Sequence, residues 1–223
     1  MRIYHGSGHI IEHPEYGLGK PYNDYGRGFY CTESLDMALE WGVQRGRDGY
    51  ANAYELNDAG LTLLDLNDEK YGVLHWLALL LANREFDIPS PLALEAKEYL
   101  LQTFAIDYEE YDLIRGYRAD DSYFSFAQDF INGTISVQQL ARAMRLGKLG
   151  QQIVLKSERA FERLRFVDAK VAEKNLWYPR WELRDRKARR EYLDTERNRR
   201  ERGDLYIIQI IDEALGPQDV RIR

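Results

Sequence analysis

Cysteine is almost missing from this chain. Cys31 is the one thiol among 223 residues, so no internal disulfide framework exists. Long apolar runs are missing too. The best, residues 73–82, is interrupted by His75 and is too short to span a bilayer. The N-terminus turns polar within five residues, which excludes a signal-peptide pattern. The chain therefore reads as cytoplasmic, with no membrane partner; export by a dedicated secretion machine stays open. Positive charge is not in excess: the formal charge of −6 argues against a globally basic nucleic-acid binder. No internal repeat occurs. His9 and His13 lack companions with ligand spacing, so no metal is assigned.

What is present fits a soluble globular chain, 44% apolar and 30% charged, long enough for one domain with an extension. Sixteen tyrosines suit a fold with a substrate cleft, and also suit plain packing. Residues 2–5 read as a strand entering the core, 8–25 as a loop, and 28–32 as a second strand. Thr32 or Ser34 caps a helix running to about residue 44. Residues 53–56 and 61–66 read as strands of a hairpin around Asn57-Asp58-Ala59-Gly60. Helices fit 69–84, apolar on most sides, and 92–103 after Pro89 and Pro91. A strand over 111–117, helices over 122–131 and 136–146, a strand over 153–156, a short helix over 158–164 and a strand over 165–171 complete the core. Composition shifts after residue 172. Residues 173–202 hold eleven Lys/Arg against seven Asp/Glu, with Glu182/Arg186, Asp185/Arg189 and Glu196/Arg200 at i,i+4 spacing. An apolar segment, 205–211, must dock somewhere.

The chemistry concentrates near the start. Tyr4-His5-Gly6-Ser7 is followed by Tyr25-Gly26-Arg27-Gly28-Phe29-Tyr30-Cys31-Thr32, and then by Ser34-x-x-x-Ala38-x-x-Trp41. A lone His, a lone Gly-x-Gly or a Tyr–Trp pair is ordinary in any core. Their joint order within 41 residues is not. The arrangement resembles the His-Gly-Ser and Gly-x-Gly-(Ile/Phe)-Tyr-Phe motifs of the poly(ADP-ribose) polymerase side of the ADP-ribosyltransferase superfamily. It also resembles bacterial toxin-like relatives with Asp-(Phe/Tyr)-Gly-x-Gly-Phe-Tyr, a later Gly-x-x-(Ala)-Asp-Asp and a late Gln. The matched segments span residues 4–166. The pattern alone gives an α+β fold with flanking helices and a C-terminal helical extension; the resemblance implies that its core is an ADP-ribosyltransferase-like split antiparallel β-sheet. It implies that NAD is the substrate, that His5 binds a ribose, that Gly6 binds the nicotinamide amide and that Ser7 lies near the adenosine ribose. Gly28 and Tyr30 belong to the second motif, Tyr30 as the motif tyrosine. Trp41 takes the place of the second stacking aromatic. Ala38 stands where many members have a Ser, so that bond to the amide is missing.

The third catalytic position departs from the family. Its members carry a Glu before a strand that this chain writes Gly150-Gln151-Gln152-Ile153-Val154-Leu155-Lys156. Gln151 takes the Glu position, with Gln152 as a one-residue slip. Glutamine accepts a hydrogen bond from a ribose hydroxyl but brings no charge and is no base. Losing such an electrostatic contribution costs roughly 2.7–4 kcal/mol, which argues against polymer elongation. Asp120 and Asp121 are the candidates to replace the charge, Asp121 first, with helix capping as the alternative role. Arg118 beside them suits the NAD diphosphate. Glu33 and Glu40 adjoin motif residues and are read as pointing to solvent.

The expected division is residues 1–172 as the NAD-binding domain and 173–223 as a charged helical extension packed on it. The Arg-rich stretch within 184–202 reads as a solvated helix; the alternative is a contact surface for RNA, DNA or an acidic antitoxin. Trp177, Tyr178 and Trp181 before it can stack on bases or pin the helix to the core. The expected activity is mono-ADP-ribosyl transfer from NAD by a toxin-like or defence protein, onto a protein or nucleic-acid acceptor. NAD hydrolysis and a catalytically silent NAD- or ADP-ribose-binding module are the alternatives.

Overall fold

A computed structural model of the chain describes residues 1–119, 121–146 and 150–222. The described chain is α+β, with two sheets. The strands of the first are β1 (Arg2–Ser7), β3 (Gly49–Leu56) and β7 (Leu164–Ala172), in the order β1-β3-β7 and antiparallel throughout. The second contains β2 (Phe29–Cys31), β4 (Leu63–Asp65), β5 (Leu113–Tyr117) and β6 (Gln151–Leu155), in the order β2-β6-β5-β4. In it β2/β6 and β5/β6 are antiparallel, whereas β4/β5 is parallel, which departs from a wholly antiparallel core. The helices are α1 (Leu35–Gly42), α2 (Val73–Asn83), α3 (Pro91–Thr103), α4 (Asp121–Ile131), α5 (Val137–Ala143), α6 (Glu158–Glu162), α7 (Lys174–Glu191) and α8 (Ile207–Asp212). A π-helical turn, Tyr192–Glu196, extends α7.

Side-chain alternation along β6 sorts the core. Ile153 and Leu155 join Cys31 and Leu113 against Ile3, Tyr54 and Leu56 of the first sheet, so the two sheets pack face to face there. Val154 points the other way, into the large cluster built with Ile114, Leu64 and the helices. That cluster explains why α2 is apolar nearly all round: every residue from Leu74 to Leu81 is buried.

The sheets join at one corner. Tyr4 and Thr32 exchange backbone hydrogen bonds of 2.8 and 2.9 Å, which sets the end of β1 beside β2. Ser34 caps α1, its hydroxyl accepting from Met37 N at 3.3 Å. The helix stops at Gly42 rather than 44, because Gly42 runs against β3; a Cβ there would lie 2.6 Å from Tyr50 O.

The expected hairpin over 53–66 does not form. The turn exists, with Gly60 at φ +75° and Leu61 N donating to Asp58 O. However, β3 already has β1 and β7 on its two edges, so β4 crosses to the second sheet and pairs with β5. The Asp112 carboxylate fixes the crossing by accepting from Thr62 N at 2.8 Å and Thr62 Oγ1 at 3.1 Å.

The C-terminal segment is built into the core. Trp177 is buried against α1 and β3, while Ala188, Tyr192, Leu205, Ile207 and Ile210 enter the large cluster. The segment 205–211 therefore docks as a short helix, α8, with the two residues that lead into it. Glu40 does not face solvent: its carboxylate takes two bonds from Arg184, at 2.9 and 2.7 Å, tying α1 to α7. Arg186–Glu182 and Arg189–Asp185 pair at the expected spacing. Glu196 instead meets Arg142 of α5 at 2.8 Å, because the π-helical turn rotates it inward. No described helix is long and apolar enough to cross a membrane.

Candidate functional site

The corner where β1 meets β2 opens into a cleft of about 480 Å³. Its walls come from the end of β1 (His5, Gly6), the loop before β2 (Lys20, Asn23, Asp24), Tyr30, Trp41, Arg84, the chain after β5 (Arg118, Ala119) and Gln152.

His5 sits half-buried, its ring stacked on Phe29 at 4.3 Å. Its Nδ1 donates to Tyr30 O at 2.7 Å. Burial lowers its pKa below the usual 6.5; the bond to Tyr30 O opposes this, and nearby His9 adds to it. His5 is thus neutral, protonated on Nδ1, and offers Nε2 as an acceptor.

Tyr30 commits its hydroxyl to the turn before its own strand. It donates to Gly26 O at 2.6 Å and accepts from Tyr25 N at 3.0 Å. Gly26 holds φ +69° there. Burial pushes the phenol far above its ordinary pKa, so it stays neutral, and what it presents to the cleft is ring. Lys156 clamps the same turn, donating to Tyr25 O and Arg27 O at 2.6 Å each, and burial pulls its pKa down to about 8.

Asp24 is the hub. It is 5% exposed. Oδ1 pairs with Arg84, the residue that ends α2, at 2.8 Å. Oδ2 accepts from Ala119 N at 2.8 Å and from Gln152 Nε2 at 2.9 Å. One carboxylate therefore fastens the glycine turn to α2, to the end of β5 and to β6. On the far wall, the Arg118 guanidinium lies over the Trp41 ring, 4.4 Å from its centroid.

Of the residues singled out from sequence, His5, Gly6, Tyr30, Trp41, Arg118 and Gln152 line this one cleft. Gln151, Ser7, Gly28 and Glu33 fall elsewhere. Gln151 lies on the opposite face of β6 from Gln152 and exchanges hydrogen bonds with Asn67. Because Tyr30 pairs directly with Val154, the face of Tyr30 is the face of Gln152, and Gln152 rather than Gln151 lies in the cleft. Ser7 turns its hydroxyl to His9 O and receives Asn52 Nδ2, so it folds the loop after β1. Gly28 serves strand packing: a Cβ there would lie 2.5 Å from Val154 Cγ1. Asp120 and the Asp121 side chain lie outside the described residues. Glu33 is exposed, 4.0 Å from Arg115. Gly6 is required by helix packing, since a Cβ would stand 2.2 Å from Ala38 O. Among the described residues no group of three acidic, His or Cys side chains is placed to hold a metal.

Sequence reasoning missed Asp24, Arg84, Lys20 and Asn23. Asp24 carried a signal, for it opens the Asp-Tyr-Gly-x-Gly motif. Arg84 carried none; it reaches the cleft only because α2 ends there.

No curated protein and no solved structure matches the chain. Residues 1–166, which include both the β1 and β2 motifs, Asp24 and Gln152, match the model of a family described as protein of unknown function (DUF3990), and the chain belongs to that family.

Proposed function

We propose that the cleft binds NAD and that the protein transfers single ADP-ribosyl groups to a macromolecular acceptor, releasing nicotinamide, as a bacterial toxin-like or defence enzyme. One observation carries the reading. His5, Tyr30 and Gln152, drawn from three strands, meet in a cleft lined, among the described residues, by three cations, Lys20, Arg84 and Arg118, and one carboxylate, Asp24, within a chain of net charge −6. A cationic pocket with aromatic walls suits an anionic ligand that carries rings. Tyr30 gives a flat face for a base, and Trp41, with Arg118 lying over its ring, gives a second aromatic wall. His5 Nε2 and Gln152 Oε1 are acceptors for ribose hydroxyls. Lys20 and Arg118 suit a diphosphate. Breaking the bond to nicotinamide develops positive charge on the ribose, and acceptors held rigid beforehand stabilise it without reorganising.

A second reading has its own support. Both oxygens of Asp24 are committed to partners, and Gln152 is neutral. A pocket whose one described carboxylate is fully engaged fits a module that binds NAD or ADP-ribose without turning it over. Hydrolysis with water as acceptor stands between the two.

The test is to incubate the protein with NAD and follow nicotinamide, with and without cell lysate. Release that depends on lysate, with label on a macromolecule, is the expected result. Release without lysate indicates hydrolysis. Binding without release indicates the silent module.

A further inference from the structure

Gln152 is buried, and the two hydrogens of its amide go to Asp24 Oδ2 at 2.9 Å and to Tyr117 O at 3.1 Å. Both partners only accept. A flipped amide would set oxygen against oxygen twice, so the orientation is fixed by chemistry rather than by choice of assignment. The amide oxygen is left as the atom Gln152 can offer to a ligand. Tyr117 O is itself held in place, receiving Tyr25 Oη at 2.6 Å and Trp76 Nε1 at 3.3 Å. Asp24 is equally constrained, by Arg84 on one oxygen and Ala119 N on the other.

We infer that Asp24 is a positioning residue: by holding the Gln152 amide nitrogen, it commits that wall of the cleft to accepting a hydrogen bond from a ligand hydroxyl. This rests on the reading of the cleft as an NAD site and deepens it, because the ligand group so recognised is a ribose hydroxyl. Asp24 supplies through a neutral relay part of what a directly placed carboxylate would supply. Its charge is screened from the ligand by Gln152 and balanced by Arg84.

The test is a double-variant cycle of Asp24→Asn and Gln152→Glu, with NAD affinity and unfolding temperature read in parallel. In Asp24→Asn, Arg84 retains the remaining oxygen and the new amino group faces Gln152. Unflipped, the Gln152 amide nitrogen meets that amino group, and flipped, its oxygen meets Tyr117 O; either way the fixed orientation is lost and NAD binding weakens by about tenfold. Gln152→Glu alone sets two carboxylates against each other and lowers both affinity and stability. In the double variant the amide now at position 24 donates to the carboxylate now at position 152, which presents its other oxygen to the cleft; Tyr117 O and Ala119 N each lose a partner, so stability returns only in part. NAD affinity returns to within about threefold of the natural protein, and the unfolding temperature lies above the sum of the single effects. Coupled stability with purely additive losses in NAD affinity would reduce Asp24 to a structural role and overturn the inference. If the natural protein binds no NAD, the functional proposal fails. The positioning role then falls with it, whereas NAD binding with additive losses overturns the inference and leaves the functional proposal standing.

Discussion

At the scale of single residues, the cleft is organised by groups that spend their polarity on the protein and turn a selected atom outward. Tyr30 gives its hydroxyl to the glycine turn and keeps its ring for the cleft. His5 gives Nδ1 to Tyr30 O and keeps Nε2. The His5 shift has a testable sign. Its folded pKa is lowered, so the unfolded chain takes up a proton near pH 6.5 before the folded one does. The stability that neutral His5 holds above about pH 6.5 is lost as the pH falls from there through the lower folded value. Unfolding temperatures measured from pH 8 to 5 are expected to drop less steeply in His5→Gln than in the natural protein; equal slopes would show that His5 is not held neutral by burial. Arg84 balances a carboxylate that is nearly sealed from water. Arg84→Met leaves that charge uncompensated, at a cost of about 3 kcal/mol measured by denaturant unfolding.

At the scale of elements, the site depends on how closely α1 approaches β1. Ala38 O and the Trp41 Cβ occupy the space beside Gly6, so the Trp41 wall of the cleft is set by a missing side chain. Gly6→Ala forces α1 away, and overpacking of this kind costs about 1–3 kcal/mol. Calorimetry is expected to show lowered stability together with weakened NAD binding, both from one methyl group. Much at this scale was legible in the sequence. The β1 and β2 strands, the Ser34 cap, buried α2 and the strand at β6 follow from periodicity and capping chemistry. What was not legible follows from pairing. The turn at Asn57–Gly60 announces a reversal but not which strand receives the chain, and a saturated β3 sends β4 to the other sheet. Adjacent glutamines at 151 and 152 are equivalent as letters; only the register of β6 against β2 puts Gln152 beside Tyr30. The Asp24–Arg84 pair joins positions 60 apart, and no spacing rule connects them.

At the scale of the whole molecule, the family match ends at residue 166, inside β7, whereas the hydrophobic cluster does not. Tyr192, Leu205, Ile207 and Ile210 complete it, and Glu40–Arg184 ties α1 to α7. A chain ending at Ala172 is expected to lose its cooperative thermal transition and to aggregate, because removing α7 and α8 bares that apolar face. A sharp transition in the shortened chain would show that residues 1–172 fold alone. The net charge of −6 contrasts with the cleft, where three of the described positive side chains gather; the proposed anionic ligand would be repelled by the molecule at large and drawn to that concavity. The central claim is that this concavity is an NAD site, and calorimetric titration of NAD into the natural protein and into Tyr30→Ala tests it most directly. Saturable one-to-one binding, weakened by about tenfold or more when the Tyr30 ring is removed, is the predicted result. No binding to the natural protein, or equal binding to both, would contradict it.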